Sequence, residues 1–352
     1  MNSPIGLRRA AGLFAALSGA AWLAGCSTPP EPAPPPAPPP PPAPPPIKLS
    51  DSLIQDAAAY QAYMDHVAAI SPAFKSGEDV ASSLKMGDAD DPRQLLRGSI
   101  AYAAVVALQD PNFVHEVQVF ATNPTSRPLL TDDLTRDPNY VVGIKGADGA
   151  AALVEAALMD QGQKVYAAGE LVKQSAYSIQ RQSWSQQIVA NRDQRLADAK
   201  AIVPMLASGG DATRMRQAAV GAAPMSLASA APPMPATQPY PPVVVRGLAL
   251  AALAVLGEAG DDQAARITPI VTETAASNCL GDAKLNLYQC LAVSKPHYED
   301  IFCLGQHVMM DTGQCMMIAA GAPPPVYAPL AHSSTEVAYV PPGGKKKKRR
   351  PN

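Results

Sequence analysis

The chain has 352 residues, 47% of them hydrophobic and 5% aromatic, with 28 Lys and Arg against 30 Asp and Glu. That length supports one large or two modest domains with a sizeable core. With Arg8, Arg9 and the six basic residues near the C-terminal end set aside, 20 basic residues face 30 acidic ones, which excludes the positive body that nucleic-acid binding requires to displace phosphate counterions.

Arg8 and Arg9 precede an apolar run over residues 10–22, which closes on Leu23-Ala24-Gly25-Cys26. A positive start, a short apolar core and small residues before a cut site describe a secretory signal. The run is shorter than the ~20 residues a membrane-spanning helix needs. Leu23-Ala24-Gly25-Cys26 resembles the lipobox of bacterial lipoproteins. The resemblance covers residues 1–26 and implies cleavage before Cys26, a diacylglyceryl thioether on its sulfur and acylation of the new amino terminus. Several acyl chains hold a protein on a bilayer stably, so a membrane reached through lipid is the first expected partner. Ser27 stands where this class commonly carries an aspartate for inner-membrane retention, which implies the outer membrane facing the periplasm.

Residues 29–46 are almost wholly proline and alanine. Such a segment extends as polyproline II, a stalk of roughly 55 Å at about 3.1 Å per residue. A ligand for a proline-reading module is another use of the same composition.

The pattern from Asp51 to about Val220 is helical. Leu53, Ile54, Ala57, Tyr60, Ala68 and Ile70 define a first helix that Pro72 ends, and a second runs from Pro92 through Ile100 and Leu108 to Asp110-Pro111. Loops are expected from there to Pro138. Tyr140-Val141-Val142-Gly143 with Gly146 and Gly149 reads as a loop leading into a helix, because the glycine spacing is not the dinucleotide fingerprint. Over residues 162–207, Val165, Val172, Ile179, Ile188, Leu196 and Val203 recur near whole heptads. This predicts a long helix or coiled-coil arm of up to roughly 68 Å, with Gly162 and Gly169 as its weak points.

Residues 221–242 hold seven prolines and read as a linker or long loop. Residues 243–256 are nearly all apolar and predict a helix buried on most sides. Asp261 and Asp262 suit the start of the next helix, which Pro269 kinks or divides.

Five cysteines divide into Cys26 and a group of four, Cys279, Cys290, Cys303 and Cys315. An even set in an exported chain reads as disulfides. Cys279-Leu280-Gly281 is echoed by Cys303-Leu304-Gly305, and Ser294-Lys295-Pro296 separates the two units as the turn of a helical hairpin. Counting outward from Pro296 puts Cys290 level with Cys303 and Cys279 level with Cys315. Within one helix, Cys279 and Cys290 would lie about 16 Å apart, beyond disulfide reach. The nested pairing is therefore expected over the crossed one. The arrangement is similar in geometry to the coiled-coil-helix-coiled-coil-helix proteins, whose paired cysteines are more closely spaced. A zinc site would compete, but Cys-x2-Cys knuckles are absent, and no metal or other cofactor is expected.

Chemistry-bearing motifs are weak. His297, Glu299, Asp300, His307 and Asp311 could supply ligands or an acid–base pair, yet residues of this kind are also ordinary on helix surfaces. Ser82 and Lys85 match the Ser-x-x-Lys pair of penicillin-binding proteins without the companion boxes of that family. His66 and His115 stand alone. No catalytic residue is assigned.

Lys345, Lys346, Lys347, Lys348, Arg349 and Arg350 follow Pro341-Pro342-Gly343-Gly344. On an exported chain they suit anionic lipid, an acidic wall polymer or an acidic protein partner rather than nucleic acid.

The sequence thus predicts an all-α protein: an Ala-rich helical bundle with a long helix or coiled-coil arm and a C-terminal disulfide-stapled hairpin. Its segments are a signal (1–25), a lipidated cysteine and stalk (26–50), a helical domain (51–220), a linker (221–242), a helical segment with the four-cysteine hairpin (243–320) and a Pro-rich basic tail (321–352). A structural or assembly role in the cell envelope is expected. An enzyme acting on the cell wall or envelope polysaccharide is the alternative.

Overall fold

Thirteen α-helices and no β-strand occur among the described residues of the computed structural model, which are 43–87, 91–201, 204–225, 227 and 234–325. Cys26, the signal and the basic residues Lys345 to Arg350 lie outside them. In chain order the helices are α1 Asp51–Ala68, α2 Gly77–Gly87, α3 Pro92–Ala107, α4 Pro111–Ala121, α5 Ser126–Arg136, α6 Ala147–Ile179 and α7 Arg192–Lys200. They continue with α8 Gly209–Ala219, α9 Pro242–Val255, α10 Ala264–Ile267, α11 Thr274–Val293, α12 His297–Cys303 and α13 Asp311–Ala319. A π-helical segment, Leu304–Met310, joins α12 to α13.

The all-α expectation holds. Ser50 caps α1 by accepting from the Leu53 amide, and Asp91 caps α3 with Pro92 at its first position. Helix α9 is the centre of the core: every residue from Val243 to Val255 is buried except Arg246. Arg246 escapes by reaching outward to donate to the Pro269 and Ile270 carbonyls at 2.9 and 3.0 Å. Small residues let the central helices approach closely. A Cβ on Gly247 of α9 would stand 2.5 Å from that of Ala103 in α3, and one on Gly98 of α3 would stand 2.6 Å from the Asp56 carbonyl of α1. Arg97 and Asp56 clamp the α1–α3 contact through two hydrogen bonds of 2.6 and 3.0 Å. Helices before and after the proline-rich stretch at 221–241 contribute to one buried cluster.

Two regions depart from the sequence reading. The stretch after Asp110-Pro111, expected as loop, holds α4 and α5. Asp110-Pro111 ends one helix and starts the next, since the Asp110 carboxylate accepts from the Phe113 amide while Pro111 occupies the first turn. Phe113, Val117 and Ala121 then bury one narrow stripe at four-residue spacing. Helix α2 was likewise unassigned; it buries only Val80, Leu84 and Gly87.

The long helix exists but runs from Ala147 to Ile179, about 48 Å at the ordinary helical rise. Gly146, at φ 84°, turns the chain into it, after a 3-10 turn over Pro138–Gly143. Val165, Val172 and Ile179 keep their heptad register and are buried. Ile188 is 69% exposed beyond the helix end, Leu196 belongs to α7, and Val203 lies outside the described residues. The helix passes unbroken through Gly162 and Gly169.

The end of the proline-rich segment is fastened to the body. The Lys48 amide donates to Ala254 at 2.9 Å, the Ser50 amide to Ala259 at 2.8 Å, and the Lys48 ammonium pairs with Asp262 at 2.7 Å. Ile47 and Leu49 pack against the core. After the 3-10 turn Asp261–Gln263, the short α10 ends at Ile267, two residues before Pro269.

Candidate functional site

Helix α11 and the continuous helix α12–π–α13 form an antiparallel hairpin turning at Ser294-Lys295-Pro296. Cys279 is bonded to Cys315 and Cys290 to Cys303, each with Cα atoms 5.7 Å apart. The nested pairing is therefore the one present.

The hairpin lies against α6 through glycines on both sides. A Cβ on Gly162 would fall 2.7 Å from the Gly313 carbonyl oxygen, and one on Gly169 would fall 2.9 Å from that of Gly305. In return, a Cβ on Gly305 would stand 2.5 Å from the Lys173 nitrogen. The spacings differ: seven residues separate the α6 glycines and eight separate their partners. In an unbroken α-helix, eight residues would carry the second glycine roughly 80° off the contact line. The π segment between Gly305 and Gly313 absorbs one extra residue, so both glycines meet α6. Gly162 and Gly169 are places of close helix approach rather than weak points.

The same π segment carries a polar chain. Lys173 donates to Gln306 at 2.6 Å, Gln306 donates to Asp311 at 2.9 Å, and His307 Nδ1 lies 2.8 Å from the other Asp311 oxygen. The Lys173 ammonium also sits 5.3 Å from the Phe302 ring centre, a cation–π contact.

At the hairpin turn, residues 185–195 pair with the chain around Pro296. The Val189 amide donates to Lys295, and the His297 and Tyr298 amides donate to Gln187 and Ser185. Arg192 and Arg195 satisfy carbonyls at the end of α11: Arg192 reaches Ser294 and Ala292 at 2.8 and 3.1 Å, and Arg195 reaches Leu291. Cations suit this helix end. Arg195 also pairs with the buried Asp300, which accepts from the Ser294 hydroxyl at 2.7 Å. Burial pushes the Asp300 carboxyl above its ordinary range, opposed by the Ser294 hydrogen bond and by Arg195.

The acidic and histidine residues around the inner cysteines thus divide among structural tasks. Asp300 anchors Arg195, Glu299 accepts from the Lys295 amide at 2.7 Å, His307 pairs with Asp311, and the His297 ring lies beside Trp184 and Gly77. Among the described residues, no three His, Cys, Asp or Glu side chains gather as a metal site. Ser82 and Lys85 occupy exposed positions of α2, and His66 and His115 are exposed on α1 and α4.

Between the end of α6 and the hairpin, beside the inner disulfide, lies an apolar groove of about 220 Å³. Tyr177, Val293, Tyr298 and Phe302 shape it, with Gln180 and Glu299 among its few polar neighbours. Tyr177 and Phe302 meet edge to face at 6.2 Å, and Tyr177 and Val293 remain 50% and 73% exposed. Sequence reasoning missed this groove and the paired arginines. No protein-family model matches the chain, and no curated protein or solved structure matches it either.

Proposed function

We propose that this chain is a lipid-anchored protein of the bacterial cell envelope with a scaffolding or assembly role. Arg8-Arg9, the apolar run and Leu23-Ala24-Gly25-Cys26 carry the reading. Cys26 holds the acyl chains, on the outer membrane facing the periplasm, and the proline-rich segment spaces the helical body from the lipid. Two disulfides suit an oxidising compartment. The fastening of Lys48 to Ala254 in α9 and of Ser50 to Ala259 just after it gives the spacer a fixed point of departure from the body. Lys345, Lys346, Lys347, Lys348, Arg349 and Arg350 offer a contact for anionic lipid or wall polymer.

The test is metabolic labelling with a tagged fatty acid in cells producing the wild type and Cys26→Ala. Label on the wild type and its loss in the variant, with accumulation of the longer precursor, is the expected result. Equal labelling of both chains, or of neither, overturns the proposal. In vivo cross-linking then identifies the partner that a scaffold requires.

A further inference from the structure

The groove shaped by Tyr177, Val293, Tyr298 and Phe302 lies where α6 meets the hairpin, and the Tyr177–Phe302 contact across that seam forms its floor while Tyr177 and Val293 stay exposed. The aromatic rings of Tyr177, Tyr298 and Phe302 line it, and the Gln180 amide and the two phenols can donate to a ligand's carbonyl oxygens. Consecutive prolines match it: they have carbonyls and no N–H, and their extended helix is already ordered before binding, which is how aromatic grooves read proline-rich peptides.

This chain carries such a peptide beyond the last described residue, Pro325, in Tyr339-Val340-Pro341-Pro342. We propose that Val340-Pro341-Pro342 docks in the groove of its own chain. Reach is ample. From Cys303 at the groove to Ala319 at the end of α13 the helix covers about 24 Å. The residues from Pro325 to Pro341 can extend up to roughly 55 Å. Of the other proline-rich stretches, residues 29–42 are followed by Lys48 and Ser50, whose amides bond Ala254 in α9 and Ala259 just after it, and the prolines at 232, 233 and 235 adjoin Ala236, whose amide donates to Asp148 at the end of α6 away from the groove. Charge acts in the same direction, since docking these prolines brings the six basic residues at 345–350 onto a body, residues 43–325, with 20 basic and 28 acidic residues.

The experiment uses the full chain with the photoreactive residue benzoylphenylalanine at Val293, an exposed rim position that leaves the aromatic lining intact. Irradiation and peptide mapping are expected to join position 293 to residues 339–344. Mixing isotopically heavy and light chains should yield only heavy–heavy and light–light products. A second variant with Pro341→Ala and Pro342→Ala should cut the yield at least fivefold without moving the melting temperature. Cross-linking to residues 29–42, mixed heavy–light products, no cross-link, or a yield indifferent to the proline changes would each overturn the proposal. None of these outcomes depends on whether Cys26 is acylated.

Discussion

Helix α9 and helix α11 are both central to how the chain holds together, yet they are secured in opposite ways. Twelve of the 14 residues of α9 are buried, against six of the 20 residues of α11. The first is held by apolar area removed from water on nearly every side. The second buries one face and is tied to its neighbour through Cys279 and Cys290. Covalent closure therefore stands where burial is one-sided, and the two regions should fail by different routes.

The largest expected effect breaks the closure. The outer disulfide spans 36 residues and the inner one 13, so on chain-entropy grounds they contribute about 4 and about 3 kcal/mol. Cys279→Ala with Cys315→Ala should lower the urea midpoint more than Cys290→Ala with Cys303→Ala. A shift below ~1 kcal/mol for the outer pair would mean that packing against α6, not the staple, holds the hairpin.

The core should respond to volume instead. Leu250, fully buried on α9, should cost about 3 kcal/mol when changed to Ala, through lost transfer energy and the cavity left behind. If burial and covalent closure act independently, the same loss follows with the disulfides intact or removed. Strong coupling between the two changes, read from a double-mutant cycle in urea, would show that the regions are not energetically separate.

A third change tests the contact between α6 and the hairpin. Gly305→Ala places a methyl group against the Lys173 backbone nitrogen, which cannot turn aside as a side chain would. About 2 kcal/mol of destabilisation is expected. Thermal unfolding of the oxidised protein checks it, and an unchanged midpoint would indicate that α6 and the hairpin can separate freely.

These tests also mark what was legible in the sequence. The cysteine pairing was readable because a hairpin about Pro296 reduces it to counting. The buried α9 was readable because its apolar run left no polar face to expose. Helix α5 was hidden by its polar composition, and α4 by Asp110-Pro111, a signal that serves equally as a stop and a start. Gly162 and Gly169 misled because helix propensity is local while a close approach between helices is not. The groove draws on residues 176–180, 290–294 and 298–303, brought together only by tertiary packing, so no window of sequence contains it. The His307–Asp311 contact follows from four-residue helical spacing, but its link through Gln306 to Lys173 needed the packing of α6.

The smallest expected effect separates the two Cys-Leu-Gly units themselves. Gly281 and Gly305 each follow a buried leucine and a bonded cysteine, and their local sequences are the same. Their surroundings are not. A Cβ on Gly281 meets nothing within 4 Å, whereas one on Gly305 meets backbone at 2.5 Å. Gly281→Ala should therefore gain helix propensity without a steric cost, raising stability by up to about 1 kcal/mol. Part of the gain comes from reduced freedom in the unfolded chain. Opposite signs for the two substitutions, measured side by side by thermal unfolding, would assign the close approach to one arm of the hairpin. Loss of stability in both would instead mean that α11 is pressed against a surface along its outer face, and that its one-sided burial is not the reason for the staples.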